Sequence, residues 1–592
     1  MAARALLVAP VLMWTMAATA AAQSVTASSP LAAAAAGTAA SPSAPPAVPP
    51  ARTLAAPPAE TAYRAKVQAL VAPLLATAPS IEIVRALKEA LKARTPAAAV
   101  ALDDPTSQKL AQWHAFRGGG GDAQTLVRFA ADNPAWPDGR VILRRAEEQL
   151  FGAGGSSADI RAFFKGREPV SGAGWAALAS AYLAEGDEAK AKLHAARAWA
   201  DEELTPAFET GFLDRFGKLL GPDDHRRRLD RVLVDRLRFA AERRERATIA
   251  RRIIPHLPEA ERKAAEARLA VLLKDKGAPK LLAALPGEAP SGAQGWGLAF
   301  ARAVSHLDGG RLEDAAKILT ALPDDAEKLV SPDDWWLVRR EAAYRALTAG
   351  SKSLAYDLVK AAGPLSVNPL KEQAHMAGWI ALRLLKKPDA ALRHFEVAVK
   401  SADGPLSRAR SAYWSARTLE VLGRKDEADK LYRLAMRDPD TFHALLARQK
   451  VAGGPRTELT ITPPALPTAE EAKRFLALDA VRAAVLSVKA GLDRNITIAL
   501  FAGLRNHLRT EGEMALLAEL AASLGDPQTS LRVGKAAIAR GLNLMLYAYP
   551  HDPFPVYDPI RPPPETALLL AVTRQETEFN TRIVSTAGAR GL

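Results

Sequence analysis

The sequence contains no cysteine among its 592 residues. Disulfide bonds, thiol nucleophiles and cysteine-ligated metal centres are therefore excluded, and so is a lipid-modified cysteine. Aromatic residues are also scarce, at 6% of the chain, whereas hydrophobic residues make up 48%. Because alanine and leucine dominate the hydrophobic residues and both favour helices, the composition predicts packed helices rather than sheets.

Long uncharged hydrophobic runs are lacking as well. The most apolar stretch, residues 5–19, is shorter than the roughly 20 residues that a membrane-spanning helix needs. Arg4 precedes it, and the small residues at 20–22 follow it. This pattern predicts a secretory signal peptide over residues 1–22, cleaved before Gln23, with a short membrane anchor as the alternative. We therefore expect a periplasmic protein with no transmembrane segment after cleavage.

Acidic residues are outnumbered by basic ones, 65 against 79, which gives a formal net charge of +14. A basic surface favours anionic partners such as nucleic acid, anionic lipid or the acidic polymer of the cell wall. No basic tract alternates with aromatic residues as in a single-strand binder, and a signal peptide argues against nucleic acid. We therefore expect no nucleic-acid partner.

The chain divides by composition into a linker and a long helical region. Residues 23–60 are rich in Ala, Pro and Ser and predict an extended linker. Residues 61–455 repeat a Gly-x4-Ala step, in which glycine ends one helix in a left-handed turn and alanine lets the next helix approach closely. The step recurs at Gly186/Ala191, Gly310/Ala315, Gly350/Ala355 and Gly423/Ala428. Such hairpins bury their apolar stripes only against one another, so the sequence predicts an all-α, TPR-like superhelical solenoid.

Two further segments follow the repeats. Clusters of glycine and proline near 453–467 and 550–564 mark breaks. Between them, residues 456–560 predict a helical linker domain, in which Thr468 and Glu471 form a capping box. Residues 561–592 predict the start of another domain. Trp335 and Trp336, in the solenoid, are predicted to be core residues.

The last segment contains the residues with chemical interest. A helix is predicted over residues 566–579, and Leu568, Val572 and Glu576 share one of its faces at four-residue steps. A carboxylate on an otherwise apolar stripe would be desolvated, which favours its protonated form and suits a general acid. The alternative from the residues alone is that Glu576, near a helix end, lies in water. Glu578, on another face, is predicted to be an ordinary solvated charge.

Two runs of sequence resemble a known family. Residues 571–580 read AVTRQETEFN, and residues 584–592 read VSTAGARGL. They resemble soluble lytic murein transglycosylases, in which Arg-Gln-Glu-Ser presents a catalytic glutamate and Ser-x-x-Gly-Ala-x-Gly-Leu-Met-Gln lines the cleft. Thr577 replaces the serine but keeps the hydroxyl. Stretches at 377–384, 407–414 and 441–447 are similar to the helical region of the same family, so the resemblance covers roughly residues 170–592.

The resemblance implies a helical superhelix followed by a lysozyme-like domain. It implies cleavage of the β-1,4 bond between N-acetylmuramic acid and N-acetylglucosamine in peptidoglycan, with a 1,6-anhydro product. Glu576 would be the catalytic acid and base, and Gln575 and Ser585 would bind substrate. For Ser585, a loop serine bonded to local backbone is the alternative. Glycan strands are the implied partner, cell-wall synthesis proteins are further candidates, and no metal or cofactor is called for.

The sequence departs from the family pattern at its end. The Met-Gln expected after Leu592 is absent, so the resemblance implies that the lysozyme-like domain is incomplete. A single helix cannot desolvate Glu576 or position a glycan, and we expect the 592-residue chain to be inactive. The main alternative function is that of a non-catalytic periplasmic helical-repeat scaffold that binds peptidoglycan or a wall-synthesis partner.

The gene itself tests the expectation of incompleteness. We expect the open reading frame to continue past codon 592 with Met-Gln and about one further domain of roughly 100–150 residues. Sequencing the natural gene across this point is the measurement. A stop codon directly after Leu592 would contradict the prediction and would favour the scaffold reading.

Overall fold

A computed structural model describes residues 56–201, 204–285, 295–323, 325, 329–453, 461–551, 564–580, 583–584 and 588. The predicted signal peptide and almost all of the predicted linker lie outside these residues. The chain divides into two compact units, and all the described residues belong to the one that comprises Thr53–Val556 and Pro564–Leu592.

The first ten helices precede and include the first of the predicted hairpins. They are α1 (Pro58–Leu75), α2 (Ile81–Ala93), α3 (Pro96–Val100), α4 (Pro105–Arg117), α5 (Ala123–Asp132), α6 (Gly139–Ala153), α7 (Ser157–Phe163), α8 (Gly172–Ala184), α9 (Glu188–Trp199) and α10 (Pro206–Phe216). Side-chain caps define several starts, because Ser80, Thr95 and Asp104 each accept a hydrogen bond from the backbone three residues on.

The middle of the chain continues as helices joined by short turns. These are α11 (Pro222–Leu233), α12 (Ala240–Ile253), α13 (Glu259–Leu272), α14 (Ala278–Ala283), α15 (Gly295–Asp308), α16 (Leu312–Thr320), α17 (Pro332–Thr348), α18 (Lys352–Val359), α19 (Val367–Trp379), α20 (Pro388–Lys400), α21 (Pro405–Val421), α22 (Lys425–Ala435) and α23 (Phe442–Ala452). Short 3-10 segments occur at Gly217–Leu219 and Ile254–His256, and a π-helical segment occurs at Ile380–Leu384.

Seven helices complete the described chain. They are α24 (Ala469–Ala477), α25 (Asp479–Lys489), α26 (Arg494–His507), α27 (Glu511–Ser523), α28 (Pro527–Ala539), α29 (Met545–Ala548) and α30 (Thr566–Glu576). The predicted capping box is confirmed, since Thr468 Oγ1 accepts from Glu471 N at 3.2 Å and Glu471 Oε2 accepts from Thr468 N at 2.8 Å. All regular elements of the described residues are helical, so the all-α class is confirmed.

The predicted helical hairpins are confirmed by the turn geometry. Gly186, Gly310, Gly350 and Gly423 have φ between 76° and 80°, the left-handed region that glycine enters without steric cost. The alanines five residues later are at most 2% exposed. Successive hairpins stack through their first helices, because α17 packs on α19, α19 on α21 and α21 on α23. The predicted burial of Trp335 and Trp336 is also confirmed.

One hairpin reaches the same geometry without glycine. Between α19 and α20 the left-handed residue is Lys386, with φ of 56°. The π-helical turn at Ile380–Leu384 precedes it, and Lys387 N donates to Ala381 O at 2.9 Å. Gly378 lets the ring of Phe395 approach, because a Cβ there would lie 2.7 Å from that ring. The second helix therefore still packs closely, although the turn residue is unfavourable.

Helices from the beginning and the end of the described chain share one hydrophobic core. The cluster joins apolar residues of α1–α8 to apolar residues of α24–α29. Polar contacts support it, since Arg64 Nε donates to Glu519 Oε2 at 3.0 Å and Trp136 Nε1 donates to Asp479 Oδ1 at 3.0 Å. The contacts cross the predicted boundary at 455/456, and the division into a solenoid and a linker domain stays a prediction.

Gly503 marks a close approach between an early and a late part of the chain within this shared core. A Cβ on Gly503 would lie 2.8 Å from Pro137 N and 3.0 Å from Ala135 O. Backbone atoms cannot move aside as a flexible side chain can. Helix α26 therefore packs directly on the loop before α6, and only glycine permits that distance.

Substitution of Gly503 by alanine should destabilise the protein. We expect Gly503→Ala to lower the free energy of unfolding by about 1–3 kcal/mol, the usual cost of overpacking a well-packed core. Gly211→Ala is the matched control, because Gly211 also lies inside a helix but a Cβ there meets nothing within 4 Å. The control should leave stability unchanged or raise it by about 0.5–1 kcal/mol. Denaturant unfolding measures both, and equal stabilities of the two variants would disprove the close packing.

Candidate functional site

Helix α30 carries the predicted catalytic residue at its last position. It spans Thr566–Glu576, so the predicted helix over 566–579 is three residues too long. Glu578 and Phe579 have φ of 52° and 60°. These left-handed conformations cannot continue an α-helix, and the chain turns away directly after Glu576.

Arg574 ties the helix to the preceding segment of the protein. Its Nε donates to Ala548 O at 2.6 Å, and its guanidinium lies 4.4 Å from the centroid of the Tyr549 ring. The Tyr549 hydroxyl in turn donates to Asp440 Oδ2 at 3.3 Å. Burial raises the pKa of the Asp440 carboxyl. A chain of contacts thus connects α30 with the segment before α23.

Glu578 provides the second attachment, and its prediction as a solvated charge is wrong. Its carboxylate accepts from Arg532 Nε at 2.6 Å and from Lys535 Nζ at 2.8 Å, both on α28. Burial alone would raise the pKa of Glu578, but the hydrogen bonds and ion pairs with Lys535 and Arg532 outweigh it and lower the pKa. The reversal of chain direction after Glu576 turns this side chain towards α28.

Gln528, at the start of α28, adds a weaker polar contact with the same segment. Its Nε2 donates to Thr577 O at 3.5 Å, and its Oε1 accepts from Asn580 Nδ2 at 3.4 Å. Arg494 Nη2 also donates to that oxygen, at 3.0 Å. The residues on both sides of Glu576 are therefore attached to the body of the protein.

Glu576 itself lies on the outer side of α30, away from the contacts of Arg574, and is exposed. Within the described residues its carboxylate has no hydrogen bond and no ion pair. Leu568 and Val572, which share its face as predicted, are 54% and 51% exposed. The apolar stripe is therefore present, but no other described residues cover it. It does not by itself desolvate Glu576 as predicted.

The other predicted site residues have different positions. Gln575, next to Glu576, is partly buried. Ser585 lies outside the described residues. In the part of the chain that the structure describes, no group of three or more His, Asp or Glu residues could hold a metal ion. Arg532 and Lys535 were missed by the sequence analysis, because nothing local connects them with a glutamate more than 40 residues later.

Comparison with solved structures identified similar chains. One is the 70-kDa soluble lytic transglycosylase Slt70 from Escherichia coli, with 16% identity, a TM-score of 0.49, and coverage of 89% of this chain and 79% of the other. A second is a complex of the 70-kDa soluble lytic transglycosylase with bulgecin A, with 16% identity, a TM-score of 0.49, and coverage of 90% and 79%. Both belong to the family that the sequence motif resembles.

Two other comparisons gave no match. No protein-family model matches the chain. No curated protein sequence matches it either. The described helices also include none that is long and apolar enough to cross a membrane.

The attachment of α30 through Glu578 can be tested in solution. We expect Glu578→Gln to speed hydrogen exchange of the backbone amides at residues 573–580, because the two ion pairs with α28 lose their charge. Glu565→Gln is the matched control, since Glu565 is an exposed glutamate next to the same helix. Mass-spectrometric hydrogen exchange at pH 7 measures both variants, and equal exchange would contradict the attachment.

The lowered pKa of Glu578 also sets the direction of the pH dependence. Its carboxylate is charged above its ordinary pKa of about 4.3, so the stabilising contribution is fully present there and is lost as pH falls towards the lower folded-state value. The attachment should therefore be constant from pH 6 to pH 8. Loss of the attachment between pH 6 and pH 8 would show that it depends on a titratable group other than Glu578.

Proposed function

We propose that this protein is a peptidoglycan lytic transglycosylase that cleaves the β-1,4 bond between N-acetylmuramic acid and N-acetylglucosamine and forms 1,6-anhydro-N-acetylmuramic acid during cell-wall turnover. The observation that supports it most is the presentation of Glu576. The residue lies in the Arg-Gln-Glu-Thr motif at the end of a helix, and Arg574 and Glu578 hold the chain on either side. The backbone on both sides of Glu576 is thereby attached to the protein, and the exposed carboxylate is accessible to a ligand.

A single carboxylate suits this reaction. Most glycosidases need two carboxyl groups, because water or an enzyme nucleophile must attack the anomeric carbon. In a transglycosylase the C6 hydroxyl of the muramic acid attacks its own anomeric carbon, so the nucleophile lies within the substrate and gains from proximity. Glu576 would first protonate the leaving glycosidic oxygen and then, as a carboxylate, accept the proton of the C6 hydroxyl.

The exposed stripe beside Glu576 indicates what the site still requires. Proton donation by a carboxyl group is favoured when its surroundings are apolar, since the charged form then loses hydration. Leu568 and Val572 supply an apolar surface on the same helix face, and a covering element would complete the enclosure. Gln575 and Ser585 would bind the sugar by hydrogen bonds through their amide and hydroxyl groups.

The basic composition and the predicted signal peptide agree with this assignment. A periplasmic protein with a net charge of +14 would be attracted to the acidic cell-wall polymer. Peptidoglycan glycan strands are the proposed partner, with cell-wall synthesis proteins as further candidates.

Substitution of Glu576 tests the proposal. In the product of the natural gene, Glu576→Gln should reduce the release of anhydro-muropeptides from purified sacculi by at least roughly 10²–10⁴-fold, the usual contribution of a general acid. Binding to sacculi should persist, because the amide keeps the shape of the side chain. Chromatography of the soluble products measures release, and co-sedimentation measures binding.

Glu565→Gln is the matched control and should keep full activity. Retained activity in Glu576→Gln would disprove the acid and base role. The 592-residue chain should release no product, because nothing in its described part covers Glu576. Stable binding to sacculi without product from the gene product itself would favour the non-catalytic scaffold.

A further inference from the structure

A cleft of about 740 Å³ lies far from α30 in sequence, among helices α7, α8 and α9. Its walls come from α7 and the loop after it, one face of α8 and the facing side of α9. A volume of this size accommodates a ligand of several linked residues, since small-molecule sites are typically about 300–1,000 Å³. The candidate functional site uses none of these residues.

Basic side chains predominate in the cleft. Arg161, Lys165, Arg167 and Arg197 line it, against the acidic residues Glu168 and Glu185. Arg161 is already paired with Glu185 at 3.0 Å. Lys165 and Arg197 form no hydrogen bond or ion pair with any described residue through their side chains. Two cations are therefore available to a ligand.

Aromatic rings hold part of this charge in place. The imidazole of His194 stacks on Trp175 and on Tyr182, with centroid distances of 5.4 Å and 5.2 Å. The guanidinium of Arg197 lies 4.7 Å from the Trp175 centroid, and that of Arg161 lies 5.6 Å from the Tyr182 centroid. Because these rings already contact cations or imidazole, they position charge rather than offer free faces for a base or a sugar.

Two further groups in the wall lack partners. His194 Nδ1 is buried without a hydrogen-bond partner, and buried polar atoms are rarely left so. Glu168 is exposed, and among the described residues its carboxylate has no hydrogen bond or ion pair. The cleft thus offers cations for carboxylates and one carboxylate for an ammonium group.

We propose that this cleft binds an acidic peptide that carries both carboxylates and an amino group, and that its natural ligand is the peptide stem of peptidoglycan. The assignment to peptidoglycan rests on the proposed function, whereas the acidic-peptide chemistry rests on the cleft alone. Lys165 and Arg197 bind the carboxylates, and Glu168 accepts the ammonium group. A polyphosphate would be repelled by Glu168, so the peptide fits the full set of charges better.

Isothermal titration calorimetry tests the cleft without any catalysis. The probe is the stem tripeptide L-alanyl-γ-D-glutamyl-meso-diaminopimelate, titrated into the 592-residue protein. We expect Lys165→Gln and Arg197→Gln each to raise Kd about three- to tenfold, since each removes one charge-assisted contact at an exposed position. The same tripeptide with its carboxylates converted to carboxamides should bind at least tenfold more weakly.

Lys352→Gln and Arg128→Gln are the matched controls, because both residues lie on other helices, away from the cleft, and have no ion partner among the described residues. They should bind the tripeptide as the unsubstituted protein does. Thermal unfolding shows whether each variant is folded. Equal affinity for the acidic and amidated peptides, equal affinity of the cleft and control variants, or no binding at millimolar peptide would overturn the proposal.

The result is separable from the test of the proposed function. Calorimetry reports binding whether or not Glu576 is catalytic, and the Glu576→Gln assay reports catalysis whether or not the cleft binds peptide. Anhydro-muropeptide release without tripeptide binding would overturn only the cleft. If the acidic peptide binds but the natural gene product releases no anhydro-muropeptide, the cleft proposal is supported and the proposed transglycosylase activity is disproved.

Discussion

The packing of the first helices against the last ones determines where the candidate catalytic residue lies. Glu519 is 4% exposed and receives hydrogen bonds from Arg64 and from the hydroxyl of Tyr547. A buried carboxylate is tolerable only when it is satisfied in this way. The same core contains residues of α28 and Tyr547 of α29. Since α28 holds Glu578, and Ala548 at the end of α29 and the following Tyr549 hold Arg574, the position of Glu576 depends on a core built from both parts of the chain.

Sequence reasoning succeeded where the information is local. The turn of a hairpin is encoded by a glycine and by an alanine five residues later, and both lie within one short segment. Gly186 with Ala191 therefore predicted the geometry that the structure has. The turn at Lys386 was not predictable in this way. A lysine is unfavourable in the left-handed conformation, and the π-helical segment that precedes it has no comparable local signal. The end of α30 was also predicted wrongly, because glutamate and phenylalanine give no sign that Glu578 and Phe579 adopt left-handed conformations.

The candidate site shows the limit of the same reasoning. The shared face of Leu568, Val572 and Glu576 followed from helical periodicity, but periodicity does not say whether a face is covered. The role of Glu578 depended on Arg532 and Lys535, and only the folded chain brings these residues together. The catalytic role of Glu576 stays a proposal that rests on the motif and on its presentation. The proposed peptide cleft lies on other helices, so the net charge of the protein could serve two separate contacts with one anionic polymer.

The shared core also has a consequence for biosynthesis. Tyr63 donates to Ala465 O across 402 residues of sequence, and Arg64 reaches Glu519 across 455. At a translation rate of about 5–20 residues per second, the first helix waits on the order of 20–90 seconds for its packing partner to be synthesised. During that time Val67 and Val71, both fully buried in the folded protein, lack the partners that cover them. The N-terminal helices therefore keep apolar surface uncovered until the last helices have been synthesised, whereas each central hairpin needs only neighbouring segments of the chain.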